Sequence, residues 1–456
     1  MTDTPMTEAL SAATLAPEEQ ALVEQVAARR DELVALACEL ISFDTTSRTS
    51  PEMPAREEAA LQERLAERLR AAGAEVDVWE PVPEDVADHP LTRGRRFAFD
   101  GRPQLAARFR GAAGRETRSL MFNGHIDVVP AALEDGWDHD PFDPQVRDGR
   151  ITGRGACDMK GGIAAMVIAA ETLAEDGALS GDLVVCTNTE EESGGAGALA
   201  CARHGVSADF TIVTEPTGLE VWPACRGSVY AAIAVAGRAG HAEQEHPHWR
   251  EGGAVNAIEK ARHLLAGVDR LRADWRSRAA FRHPLLDPPD IVPVRLSADA
   301  GWDVTIPGRA ELTLAVLLQP SQADADGWTS SVRQEVEGYL RRWCDTDDWL
   351  CEHPPTFSWY VETNPSETPV QADSVQALLG ANGALGLPLT LGGLGSWYDG
   401  ATFALETGSP ALMYGPRHID WAHTVGEYVP IDDLVSCAQA LAVAGSRLCR
   451  SPRHSA

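Results

Sequence analysis

The pattern of apolar and polar positions changes twice along the chain. After a loose polar start, "PEEQALVEQVAARRDELVALACELISF" and "AREEAALQERLAERLRAAG" place apolar residues at the three- and four-residue spacing of helices with one buried face. Short apolar runs then take over. "RSLMFNG", "DLVVCTN" and "DFTIVTE" read as strands, and "GGIAAMVIAAETLAEDG" reads as a helix among them. That alternation is the rhythm of a sheet covered by helices. From Ser228 a second block follows its own logic: strand "VYAAIAVAG", helix "AVNAIEKARHLLAGVDRL", strands "IVPVRLSA" and "RAELTLAVLLQ", helix "SSVRQEVEGYLRRW". This βαββα unit of roughly 115 residues is large enough for its own core. Afterwards "ALMYGP" reads as a strand and "IDDLVSCAQALAVAGSRL" as a closing helix, resuming the first style.

The expectation is therefore an α/β protein with a mainly parallel sheet flanked by helices. Its discontinuous main domain would span residues 1–227 and 345–456, with an inserted α+β, ferredoxin-like domain at 228–344. A chain of 456 residues exceeds one ordinary core, which agrees with two domains.

Composition narrows the partners. Lys and Arg total 39 against 68 Asp and Glu, a net charge of -29, which speaks against nucleic acid or an anionic membrane surface as partner. The N-terminus lacks the cationic start and apolar centre of a secretory signal, and no run approaches the ~20 apolar residues of a membrane span. Nine scattered cysteines without framework spacing read as reduced thiols, and the expected location is cytoplasmic.

Three of the expected strands end on metal-type ligands: "LMFNGHID" on His125 and Asp127, "LVVCTNTEEE" on Glu190, Glu191 and Glu192, and "TIVTEP" on Glu215. In open α/β sheets sites form beyond the carboxyl ends of strands, so these side chains should converge. "GRGACDMKGG" adds Asp158 just ahead of a helix, and "DWAHTVGEYV" adds His423. Taken singly, each is more simply a cap, a solvated turn or a helix-entry loop; together they point to one centre. Two imidazoles with several carboxylates suit a borderline divalent metal such as zinc, and a shared carboxylate can hold two ions. Asp127, two residues beyond His125, is placed to accept a hydrogen bond from the ring nitrogen that does not face the metal.

The order "GHIDVVP", "GWDHDPFDP", "DGRITGRGACDMKGG", "TEEESGG", "TEPT", "GRAGHAE", "GGAVNAIEKA" and "HTVGEYV" resembles the di-zinc amidohydrolase superfamily of acetylornithine deacetylase, succinyl-diaminopimelate desuccinylase, aminoacylase and carboxypeptidase G, most of all the acetylornithine deacetylase-like deacylases. The resemblance runs over nearly the whole chain. It implies hydrolysis of the amide bond of a small N-acyl or peptide substrate, with two zinc ions (or cobalt or manganese) as cofactors. His125, Asp158 and Glu215 would hold one ion, and Asp158, Glu192 and His423 the other, with Asp158 bridging. Glu191 would be the general base, Glu190 taking the place of the family's Asp, and Asp158-Met159 a candidate cis peptide. His241, in "GRAGHAEQEHPHW", would reach the neighbouring subunit's site in a homodimer and stabilise an oxyanion there. Glu243, Glu245, His246 and His248 beside it read as an exposed lid loop in preference to a third metal site. Cys157 is not expected to act as a nucleophile, since no nearby base is implied.

The sequence also departs from the family. In "WDVTIPGRAELTLAVLLQP", Val304 and Leu317 stand where many members have an Asn and an Arg that help hold the substrate's carboxylate. An aliphatic side chain cannot replace an arginine fork. Either another cation serves, with Arg226, Arg309 and Arg417 as candidates, or the substrate has no carboxylate there. In "GGLGSWYDGATF", Trp397 and Tyr398 are positioned either to stack on a substrate ring or, the simpler reading, to pack against the sheet. A dipeptidase or carboxypeptidase is the alternative within hydrolysis; a non-catalytic zinc-binding dimeric scaffold is the alternative outside it.

Overall fold

The computed structural model describes residues 14–452 apart from 49, 114–115 and 178; the loose start expected at the N-terminus lies mostly outside the described residues. A nine-stranded sheet dominates. At its centre the strands Leu183–Asn188, Leu120–His125, Phe210–Val213 and Ala411–Met413 run parallel in that order. Every residue of these four strands is buried. That explains why they are mainly apolar, since a parallel strand covered on both faces has no solvent side, and the polar residues within them, such as Asn123 and Thr211, are themselves buried. Antiparallel strands flank the centre, Gln104–Phe109 and Glu75–Trp79 on one side and Val221–Cys225 and Ser366–Glu367 on the other.

The helix Lys160–Glu175 lies against this sheet and is buried along 160–173. Pro17–Ala28, Arg30–Ile41 and the long Ile431–Arg450 pack on it. Its alanine-rich composition lets these backbones approach closely. At its first turn a Cβ on Gly162 would stand 2.2 Å from the Thr214 carbonyl oxygen, a backbone atom that cannot swing away. Only glycine fits there, and the contact seats the helix start behind Asp158 directly against the strand end ahead of Glu215.

A second core forms around Trp275 and is separate from the first. In the helix Ala257–Ser277, the residues Ala261, Leu264, Val268, Leu271 and Trp275 recur at helical spacing and are buried. Each large apolar side chain so buried contributes roughly 1.5–3 kcal/mol. The helix covers a four-stranded antiparallel sheet in the order Asp290–Ser297, Arg309–Leu318, Gly227–Ala236, Thr356–Thr363. With helices after its first and third strands in chain order, this is the ferredoxin-like arrangement. It differs from the sequence expectation in one respect: the last strand, Thr356–Thr363, lies beyond residue 344. It is an edge strand, exposed or half-buried over its first five residues, so "TFSWYVET" carries no strong apolar run.

All nine cysteines are free, and no helix among the described residues is long and apolar enough to cross a membrane.

Candidate active site

His125 is the last residue of its strand, and its in-register neighbour is Asn188 at the end of the adjacent strand. Glu215 follows Phe210–Val213 by two residues. The parallel register thus brings three strand ends to one crevice, into which Asp158 projects from the turn before Lys160–Glu175. Asp158 Oδ1 lies 3.1 Å from His125 Nε2, while its Oδ2 lies 3.3 Å from His423 Nε2. His423 Nε2 is also 3.1 Å from Glu192 Oε1, and Glu215 Oε1 is 3.9 Å from His125 Nε2. Among the described residues, His125, Asp158 and Glu192 form the one group whose donor atoms all fall within 4.8 Å of one another. His125, Asp158 and Glu215 are buried. His423 is 51% exposed and marks the mouth of the crevice.

These residues fit a divalent centre. Two donor atoms each ~2.0–2.1 Å from one tetrahedral ion stand roughly 3.3 Å apart, close to the three shorter separations above. Charge points the same way. Burial, reinforced by neighbouring carboxylates, pushes the Glu191, Glu192 and Glu215 carboxyls above the ordinary range. Burial acts on Asp158 in the same sense, but the two imidazoles hold its carboxyl below the ordinary value. Four acids gathered on two histidines, Asp158 and Glu215 buried and Glu191 and Glu192 half-buried, call for cations. The cis peptide expected at Asp158-Met159 is present.

Asp127 is fully buried, and here the sequence reading needs correcting. The His125 Nδ1–H donates to the backbone carbonyl of Asp127 at 2.9 Å; the carboxylate stands 3.7 Å away. The carboxylate instead accepts the Glu191 and Glu192 backbone N–H groups, each at 3.2 Å, and the Ser47 hydroxyl. Asp127 therefore orients the imidazole with its main chain and the Glu191–Glu192 loop with its side chain.

Two further carboxylates escaped the sequence reading. Glu427, in the quoted "HTVGEYV", accepts the backbone N–H of Cys157 at 2.8 Å and of Asp158 at 3.0 Å and pairs with Arg154, so it fixes the turn that carries Asp158. Asp399, in "WYDGATF", accepts Asn188 Nδ2 beneath the cluster, and burial lifts its carboxyl to about 7. No spacing rule marks either one; their partners are backbone groups or residues far away in sequence.

Glu190 turns away from the cluster, with a left-handed φ of 68°, and pairs with the buried Arg102. Cys157 is buried, and burial raises its thiol far above the ordinary value, unlike an activated nucleophile. His241 is exposed on a two-residue strand paired with Thr305–Ile306, and its contacts are local: Nδ1 accepts the Glu243 N–H at 3.2 Å, and its carbonyl meets His246 Nε2 at 2.9 Å. The loop 241–248 is exposed throughout. The three candidate cations are engaged elsewhere or exposed. Arg226 donates to the Gly395 and Pro288 carbonyls, Arg309 is 74% exposed beside Glu311, and Arg417 sits between the Trp421 and Tyr428 rings. Tyr398 is buried and Trp397 packs over Gly195, so this aromatic pair belongs to the packing around the sheet.

Comparison with known proteins agrees with this geometry. Residues 121–445 match peptidase family M20/M25/M40. The N-formyl-4-amino-5-aminomethyl-2-methylpyrimidine deformylase of Bacillus subtilis is 28% identical over 430 residues, covering 91% of this chain and 94% of that protein. The succinyl-diaminopimelate desuccinylase of Thioalkalivibrio sulfidiphilus is 28% identical over 390 residues, covering 83% and 90%. The crystal structure of a dinuclear metal-binding M20 peptidase from Bacillus subtilis superposes with a TM-score of 0.61 at 16% identity, covering 92% of this chain and 98% of that one. Side chains gathered at strand ends, a carboxylate set between two imidazoles and a match over most of the chain lead to one conclusion: the protein belongs to peptidase family M20/M25/M40 and is an amide-bond hydrolase of that family.

Proposed function

We propose that the protein deacylates a small N-acyl amine, with His125, Asp158 and Glu215 holding one zinc ion and Asp158, Glu192 and His423 a second. The observation that carries this reading is the placement of Asp158, whose two oxygens face different imidazoles at 3.1 and 3.3 Å. The ions would supply Lewis acidity and lower the pKa of a bound water towards ~7. Glu191 would accept the proton of the attacking water and return it to the leaving amine. Asp127 would hold Glu191 in place through its backbone N–H, and Glu427 would do the same for Asp158.

His241 acts from a second copy of the chain in this reading. Asp290–Ser297 is an edge strand of the second sheet, and Val294 and Leu296 on it, with Trp302 just after it, are 46–72% exposed. An apolar edge of this kind favours pairing with another copy. Nine unpaired thiols support a reducing compartment such as the cytoplasm.

The test is amine release by the zinc-loaded protein from N-formyl, N-acetyl and N-succinyl amines and from dipeptides, with and without chelator. Chelator-sensitive release from the N-acyl amines is expected, and exclusive cleavage of dipeptides would favour the peptidase alternative instead. Glu191→Gln should lose at least about 10³-fold in kcat with metal content retained. Full activity in that variant would remove Glu191 from the role of base, and no release from any substrate would leave only a binding scaffold.

A further inference from the structure

A cavity of about 550 Å³ opens from the cluster, with Glu192 and Glu190 in its wall and Ser47, Arg48, Arg95 and Arg96 around the part that the proposed chemistry does not use. In a chain with 39 basic and 68 acidic residues, three guanidinium groups around one cavity next to an acidic cluster stand out. Two of them have no direct ion-pair partner, although the carboxylates of Glu58, Asp100 and Glu80 act on Arg48 from farther off. The wall carboxylate Glu190 is already paired with Arg102, Glu192 Oε1 lies 3.1 Å from His423, and Arg96 meets Glu52 at 2.7 Å. Among the described residues, Arg48 and Arg95 form no ion pair.

Arg48 is only 7% exposed. It donates to the Asp100 carbonyl at 2.6 Å and to the Ala98 carbonyl at 3.4 Å, while its buried Nε has no hydrogen-bond partner. Arg95 donates to the carbonyl of Ser193, the residue next to Glu192, and lies over Gly194, where a Cβ would overlap its Nη1. Burial, with the neighbouring Arg102, lowers the pKa of Arg48, so this guanidinium holds its charge at a disadvantage that an incoming anion relieves, while Arg95 stands exposed at the opening. Guanidinium groups bind carboxylates with directional, charge-assisted bonds.

We propose that this cavity receives a carboxylate of the substrate, carried a few bonds from the scissile amide and bound by Arg48 and Arg95 with Arg96 at the rim. This rests on the amide-hydrolase reading of the adjoining cluster. It moves carboxylate recognition from the lid, where Val304 and Leu317 offer no charge, to the catalytic unit itself. The carboxylate has two sources: the distal end of a dicarboxylic acyl group, or the amine portion of an N-acyl amino acid.

The test uses two matched pairs on the metal-loaded protein: N-succinyl against N-butanoyl derivatives of one neutral amine, and N-acetyl-alanine against its amide. Wild type should prefer the carboxylate-bearing member of one pair by roughly tenfold or more in kcat/KM, and the pair that shows it identifies the source. Arg95→Gln should reduce that preference by about 10- to 100-fold, with Arg95→Lys retaining part of it. Calorimetric titration with succinate gives an independent reading, with binding weakened at least about tenfold in Arg95→Gln. Absence of preference in both pairs, or equal losses on charged and neutral members, overturns the proposal. If no substrate of either kind releases amine, the hydrolase reading has failed instead. The succinate titration then decides alone: weakening in Arg95→Gln supports the cavity as a carboxylate site, and unchanged affinity refutes it.

Discussion

Asp127→Asn isolates the positioning of the proposed general base, Glu191, from the donors of the proposed metal centre. The wild-type carboxylate is fully buried and takes two backbone N–H groups, from Glu191 and Glu192, on its two oxygens, together with the Ser47 hydroxyl. Asparagine keeps the shape and one accepting oxygen but turns an NH₂ toward the other N–H. One charge-assisted bond is lost and one buried donor is left unpaired, a loss of about 2–4 kcal/mol in stability if the loop stays in place. Relaxation of the loop would recover part of that by moving Glu191. A displacement near 1 Å at such a group costs about 10²-fold in rate. The variant should therefore unfold at lower denaturant, keep its metal because no ligand side chain has changed, and lose about 10²-fold in kcat with a smaller change in KM. Urea unfolding, elemental analysis and steady-state kinetics on one preparation measure all three. Wild-type kcat in a protein that is measurably destabilised would show that Asp127 supports the fold without setting the position of Glu191.

Two further outcomes follow from the structure. His241→Ala should lower kcat by roughly 10²-fold if the imidazole stabilises an oxyanion. Mixing it with Glu191→Gln should restore activity, because a mixed dimer holds one site with both residues intact; no restoration would remove the trans assignment. Glu32, held by Arg29 through bonds of 2.7 and 3.0 Å and then by Arg68, has its carboxyl lowered to about 2. A depressed carboxyl stabilises the fold above its unfolded value near 4.5 and stops doing so as pH falls towards about 2. The urea midpoint of Glu32→Gln should thus depend less steeply on pH between about 5 and 3 than that of wild type, modestly so because the side chain is 43% exposed. Identical slopes would mean that solvent screens the pair completely.

The parts of this protein legible in the sequence are those where one physical demand leaves a local mark. A mainly apolar strand that stops on His125, Glu190–Glu192 or Glu215 is such a mark, because a strand buried on both faces carries no charged residue until it reaches its carboxyl end. Spacing also placed Asp127 beside His125, but it could not say which oxygen faces the ring; that depends on the turn of the backbone after the strand. Glu427 and Asp399 lie in segments that carry the family resemblance, but nothing local showed their roles, since each works through contacts with residues hundreds of positions away or with main-chain N–H groups. The strand Thr356–Thr363 was illegible for another reason. At a sheet edge with one open face, Thr, Ser and Tyr satisfy the pairing as well as Val or Ile would. Arg48 and Arg95 sit in irregular loops, where the side-chain pattern carries no period at all.

The central claim is that five side chains hold two divalent ions with Asp158 shared between them. Anomalous diffraction from zinc-soaked crystals tests it directly. The account predicts two peaks roughly 3.5–4 Å apart, one against His125 and Glu215, the other against Glu192 and His423, with an Asp158 oxygen on each. A single peak, or a pair whose ligands leave out Asp158, would contradict it.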